Sequence, residues 1–164
     1  MPPTGMYEIL HARDHEFVKH GTKRVKREKC VQCGRVVSNI AHHGYPPSLN
    51  LGGAGWNGFV YDGYKQAWQR SFHKLMTEAE MPMPLRRVAA EGQICFPDLK
   101  GRDQGNFKFL IEKALGDALQ EGGWLADDEF YPDPHYEFGG LVGTYIKGEA
   151  WTRIMLFATP LEEG

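Results

Sequence analysis

The stretch RRVAAEGQICFPDLKGRDQGNFKFLIEKALGDALQEGG, residues 86–123, decides the fold. In its first third Val88, Ala90, Gly92, Ile94 and Phe96 alternate with Arg87, Ala89, Glu91, Gln93 and Cys95, the period of a half-buried strand. In its last half the period changes. Phe107, Leu110, Ile111, Ala114, Leu115, Ala118 and Leu119 recur at three- and four-residue intervals, which predicts a helix that stops at Gly122-Gly123.

Working outward, Tyr64, Ala67, Trp68, Phe72, Leu75, Met76 and Ala79 build a second apolar helix face, from about Val60 to Glu80, ended by MPMPL. GYPPSLNLGGAGWNGF, residues 44–59, is rich in glycine and proline and reads as an irregular lead-in. Beyond the acidic loop LADDEFYPDPHYEF, two strands are expected near Gly140–Ile146 and Ala150–Phe157, closing as a hairpin around Lys147-Gly148. The order helix, strand, helix, strands, without repeats, predicts one α/β (α+β) domain over residues 44–164, a mixed sheet with two main helices.

Residues 1–43 differ. They lack a sustained apolar period, so this segment needs a staple or a host domain. From Lys19 to Lys29 six basic residues stand against Glu28 alone, and Lys23, Arg24, Lys26 and Arg27 are candidate phosphate contacts, with a solvated basic loop as the plain alternative. CVQCG, residues 30–34, has the shape of a zinc knuckle, since Cys-x-x-Cys on a tight turn brings two thiolates to one tetrahedral ion. Cys95 belongs to the strand, so the remaining ligands are histidines: His15, and His43 or alternatively His42. A redox pair or unliganded thiols are the competing readings, and no βαβ pattern precedes the motif to favour the redox one. Residues 1–43 are thus expected as a basic, zinc-binding extension.

Charge and composition narrow the function classes. The net charge of −2 hides a split, with 16 Lys/Arg against 10 Asp/Glu in residues 1–111 and 3 against 11 in residues 112–164. A basic surface for a polyanion and an acidic cluster for cations would follow, unless folding intermingles the halves. No apolar run approaches the roughly 18 residues of a membrane span. The N-terminal MPPTGMYEILHARDHE has no basic start followed by an apolar segment, and the three cysteines suit a reducing compartment, so a cytoplasmic location is expected.

Asp103 precedes the second helix, and Asp127-Asp128 follow its end. Carboxylates from both places could share Mg²⁺, which prefers oxygen ligands, if the chain folds back after Gly122-Gly123. The alternatives are that Asp103 or Asn106 caps the helix and that Asp127-Asp128 is a solvated turn. Lys113, two turns after Asn106, could meet a phosphate, or could simply pair with Asp117 one turn further on. Trp56, Trp68 and Trp124 are candidates for stacking on bases; Trp68 lies in a core stripe, which leaves Trp56 as the better one.

The series FPDLKGRDQGNF…EKALGDALQEGGWLADD resembles the core of the RusA family of Holliday-junction resolvases. That family's pattern runs from a proline-aspartate-basic loop through Asp-x-Asp-Asn, a lysine and Asp-Ala-Leu to a Trp-x-x-Asp-Asp turn. PPSLN at 46–50 and YDGYKQAW at 61–68 are similar to the family's N-terminal element and first helix, so the likeness covers residues 44–157. It implies a homodimer on four-way or otherwise branched DNA, using Mg²⁺ held by aspartates to nick opposing strands, as is typical of bacterial and phage recombination.

By motif, the resemblance makes Asp103 and Asp128 metal carboxylates, Lys113 the catalytic lysine and Asn106 the motif asparagine, with Lys100 and Arg102 of the basic loop as DNA contacts. Two departures stand out. Gly105 occupies the place of the second aspartate, and the interval from Asn106 to Lys113 is about one helical turn longer than usual, which moves the lysine by about 5 Å. Asp127 is the first candidate to replace the missing carboxylate, ahead of Glu112 and Asp98. A catalytically impaired, RusA-like DNA-binding module tethered through its zinc element is the alternative function.

Overall fold

The computed structural model describes residues 5–12, 15–24, 26–32, 36–37, 43–46, 58–102, 105–125 and 136–160, with the backbone alone for 37, 58–61 and 106. These residues form two helices and seven strands: β1 (Gly5–Ala12), β2 (Phe17–Gly21), β3 (Lys26–Cys30), β4 (Val36–Val37), α1 (Gly58–Glu78), β5 (Leu85–Phe96), α2 (Gly105–Glu121), β6 (Tyr136–Tyr145) and β7 (Trp151–Pro160). The class is α+β with a mixed main sheet, as the sequence periods predict.

The main sheet has the order β1-β7-β5-β6, with β5 antiparallel to β7 and parallel to β6. Alternation sends Val88, Ala90 and Ile94 of β5 and Thr152, Ile154, Leu156 and Ala158 of β7 into the interior. Against them pack Trp68, Phe72 and Met76 of α1 and the α2 stripe from Phe107 to Leu119. Outward positions such as Glu8, Glu91 and Val142 are exposed, so the helices cover one face only. The helices are tied to each other by Lys65 Nζ on Asp117 Oδ2 at 2.6 Å and by Gln69 donating to Glu121.

The expected hairpin of the last two strands does not form, because β5 lies between them. The turn at Lys147-Gly148 is real, with Gly148 at φ +76° and Glu149 N–H bonded to Ile146 O at 3.0 Å. It crosses over the end of β5: Ile146 N–H donates to Phe96 O and Gly148 N–H to Pro97 O. A strand as apolar as β5 is most stable with a neighbour on each edge, and a five-residue connection is long enough to step over it.

The division at residue 43 also shifts. β1 joins the main sheet at the β7 edge, with Ile9 opposite Ile154 and His11 opposite Thr152, both inward. The host that residues 1–43 require is therefore the main sheet itself for residues 5–12. The basic run forms a ribbon instead: β2 and β3 pair antiparallel, β4 adds to β3, and Lys19, Lys23, Arg24, Lys26, Arg27 and Lys29 are all exposed.

Candidate metal centre

His11 is the third inward position of β1, after Tyr7 and Ile9, and its imidazole packs on Trp68 with ring centroids 4.3 Å apart. Its Nδ1 lies 2.9 Å from Ser71 Oγ, three residues along α1 from Trp68 and 2% exposed. His43 reaches the same place from another direction. Gly44, at φ +110°, presses against the backbone of Ala150 and Trp151, and its carbonyl accepts from Thr152 Oγ1 at 2.8 Å. Since Thr152 is the partner of His11 across β1 and β7, this bond sets His43 beside His11, with their Nε2 atoms 3.4 Å apart.

His15 follows β1 by three residues and stands edge-on to His11, with centroids 4.1 Å apart and an interplanar angle of 86°. One ligand atom from each of His11, His15 and His43 falls within 4.8 Å of the others, close enough for a single metal ion. His11 and His43 are fully buried and His15 half-buried. Cys30, at the end of β3, adds a buried sulfur whose Sγ is 3.7 Å from His15 Nδ1.

Of the ligands expected from spacing, His15 and His43 fall in this cluster and Cys30 lies close to His15, while His11 was missed. The signal for His11 was the alternation of Tyr7, Ile9 and His11 in a stretch that, taken with its neighbours, has no sustained period. Cys33 and His42 lie outside the described residues.

No family model and no curated protein matches the chain. The second candidate site therefore stands on its own residues, and Asp103, Asp127 and Asp128 lie outside the described ones, as does Trp56. Of Asn106 only the backbone is described, as the second residue of α2. The chain turns after α2 where the two glycines stand, with Gly123 at φ +82°. It brings Leu125 beside Leu85, and Leu85 N–H donates to Trp124 O at 2.7 Å. Trp124 is buried and donates its indole N–H to Met81 O, which removes it as a base-stacking surface.

Lys113 is exposed and its Nζ rests 3.3 Å from Asp117 Oδ1, the pairing expected from their four-residue spacing. Burial works against ionisation of Asp117, but the hydrogen bond and charge of Lys65, with the charge of Lys113, outweigh it and hold the carboxyl below its usual range. In the loop before α2, Lys100 is exposed. Arg102 is engaged: its guanidinium pairs with Asp98 at 2.7 Å and lies 4.4 Å from the centre of the Phe96 ring. That pairing, chiefly the hydrogen bond from Arg102, pulls the Asp98 carboxyl down and braces the loop before α2.

Proposed function

We propose that the chain is a RusA-like, Mg²⁺-dependent endonuclease that resolves four-way or other branched DNA junctions by paired nicks, acting as a homodimer in the cytoplasm of a bacterial or phage-infected cell. A zinc ion stabilises its N-terminal element. The observation that carries the reading is the motif series itself, which runs in order along one strand–helix–turn unit, from Pro97-Asp98 after β5 through Asp103 to α2 and Trp124. Asp103 and Asp128, with Asp127 for the carboxylate missing at Gly105, are the metal-binding residues on this reading. Bound Mg²⁺ supplies an activated water and neutralises charge on the scissile phosphate. The exposed ribbon residues Lys23, Arg24, Lys26 and Arg27 provide sequence-independent phosphate contacts.

Gly105, the first residue of α2, and the hold of Asp117 on Lys113 favour a second reading, in which the same domain binds branched DNA without cutting it. Incubating the protein with a synthetic four-way junction and Mg²⁺ separates the two. Paired nicks that disappear in Asp103→Asn and Asp128→Asn support the enzyme. Binding without cleavage at every Mg²⁺ or Mn²⁺ concentration sinks it and supports the module.

A further inference from the structure

We propose that His11, His15, His43 and Cys30 form one tetrahedral zinc centre that fastens the basic ribbon to the main domain. This ligand set rests on the zinc part of the reading above and is independent of the nuclease part. It differs from a knuckle closed within residues 30–43, because it draws one ligand from the edge strand of the main sheet.

The distances carry the argument. Zinc bonds of about 2.0–2.1 Å to nitrogen and about 2.3 Å to sulfur place tetrahedral neighbours about 3.3–3.4 Å apart for two nitrogens and about 3.6 Å apart for nitrogen and sulfur. His11 Nε2 and His43 Nε2 are 3.4 Å apart, and Cys30 Sγ and His15 Nδ1 are 3.7 Å apart. Both separations match two edges of a tetrahedron; the Cys30 thiol, which is not among the three groups whose ligand atoms lie within 4.8 Å of one another, completes the set by a rotation about its Cα–Cβ bond. Imidazoles on one zinc have ring centres about 5 Å apart, and the three pairs here measure 4.1, 4.9 and 5.7 Å.

The surroundings fit as well. With Nε2 on the metal, His11 carries its proton on Nδ1 and donates it to Ser71 Oγ at 2.9 Å, the outer contact that orients a ligating imidazole. Phe17 and Trp68 close the site with apolar rings against His43 and His11. A cleft lined by His15, Gln32, Ser71, Lys74, Leu75 and Glu78 leads from the surface to His15, giving the ion a way in. Among the described contacts, metal on His15 Nδ1 displaces the 3.5 Å approach of Ala12 N–H to Nε2, and deprotonation of Cys30 gives up its 3.5 Å bond to Gln32 Oε1. Deprotonated Cys30 would supply one negative charge, so the loaded centre keeps a net charge of about +1 beside the basic ribbon.

Zinc content and zinc-edge X-ray absorption on the full, unmodified chain test the ligand set without relying on any variant to fold. One zinc per chain with about three nitrogens and one sulfur in its first shell is expected. Two sulfurs and two nitrogens overturns the ligand set while keeping the zinc; no zinc, either as purified or after reconstitution, overturns both. In variants, His11→Ala should lose the ion and Cys33→Ser should retain it, and the reverse pattern refutes the proposal. Chelation should raise the rate of trypsin cleavage between Lys23 and Lys29 about tenfold or more, because the ribbon loses its fastening. An unchanged rate refutes the fastening.

Discussion

Replacing Gly44 with alanine tests how His43 is held. At φ +110° an L residue is strained by about 1–2 kcal/mol. The added Cβ would also stand 2.3 Å from Ala150 O and 2.6 Å from Ala150 C, both backbone atoms of a segment leading into a central strand pair. Neither can swing aside like a flexible side chain, so residues 43–45 must move by about an ångström, which costs about 1–2 kcal/mol in packing and about 1 kcal/mol in the bond from Thr152. The sum is about 3–5 kcal/mol, a large share of the 5–15 kcal/mol typical of a domain. At about 2–4 °C per kcal/mol for a chain of this length, Tm should fall by about 6–20 °C. Thermal unfolding followed by circular dichroism reads this directly, and on the zinc proposal the metal content should fall with it. A Tm within about 2 °C of the parent would refute the claim that Gly44 is fixed by backbone contact.

Gly63, exposed within α1 and with nothing within 4 Å of an added Cβ, gives the opposite sign: Gly63→Ala should stabilise by about 0.5–1 kcal/mol and raise Tm by about 1–4 °C. Asp117 has a folded pKa below its unfolded one, so its contribution is present above about pH 4 and is lost as pH falls through the lowered value. Asp117→Asn should therefore cost about 1 kcal/mol in urea unfolding at pH 7, a difference that vanishes at the acid end. Tyr136 donates its hydroxyl to Glu112 O at 2.8 Å, and burial, with the charges of Glu112 and Asp117, pushes its phenol up. Tyr136→Phe should cost about 1 kcal/mol in urea unfolding at pH 7 through loss of this hydrogen bond.

The parts of this fold that could be read from the sequence are those where a single period runs uninterrupted. β5 shows a period of two over Val88–Phe96, and α1 and α2 show 3.6, because each buries one face against the same core. Pairing was not legible. A glycine turn between two strands looks the same in sequence whether the strands meet or step across a third, and only the apolar character of β5 argued for placing it centrally. β1 was missed because its outward positions, Met6 and Leu10, are as apolar as the inward Tyr7 and Ile9, which blurs the alternation. At the histidine cluster, residue type pointed to His15, His43 and Cys30, whereas His11 and Ser71 enter only through the pairing of β1 with β7 and its packing on α1.

The same geometry sets a definite requirement on the nuclease reading. From Gly105 to Leu119, whose carbonyl receives the N–H groups of both Trp124 and Leu125, α2 rises about 21 Å. Asp128 is three residues beyond Leu125 and Asp103 two before Gly105, so at full extension they can cover about 10 Å and about 7 Å of that span. With about 6 Å more on each side for the carboxylate side chain and its bond to the metal, an ion shared within one chain comes within reach about 5–13 Å along α2 from Gly105, provided the Asp128 stretch runs back along the helix. Lys113 sits there, eight residues from Gly105 and eight from Glu121, about 12 Å from either end. A centre at the helix N-terminus, where a capping acid would hold it, leaves both Asp128 and Lys113 too far away. The extra turn before Lys113 and the position of the shared ion are therefore one question: if Asp103 and Asp128 bind the same Mg²⁺ within one chain, that ion lies beside the first half of α2, where a phosphate on it would compete with Asp117 for the lysine.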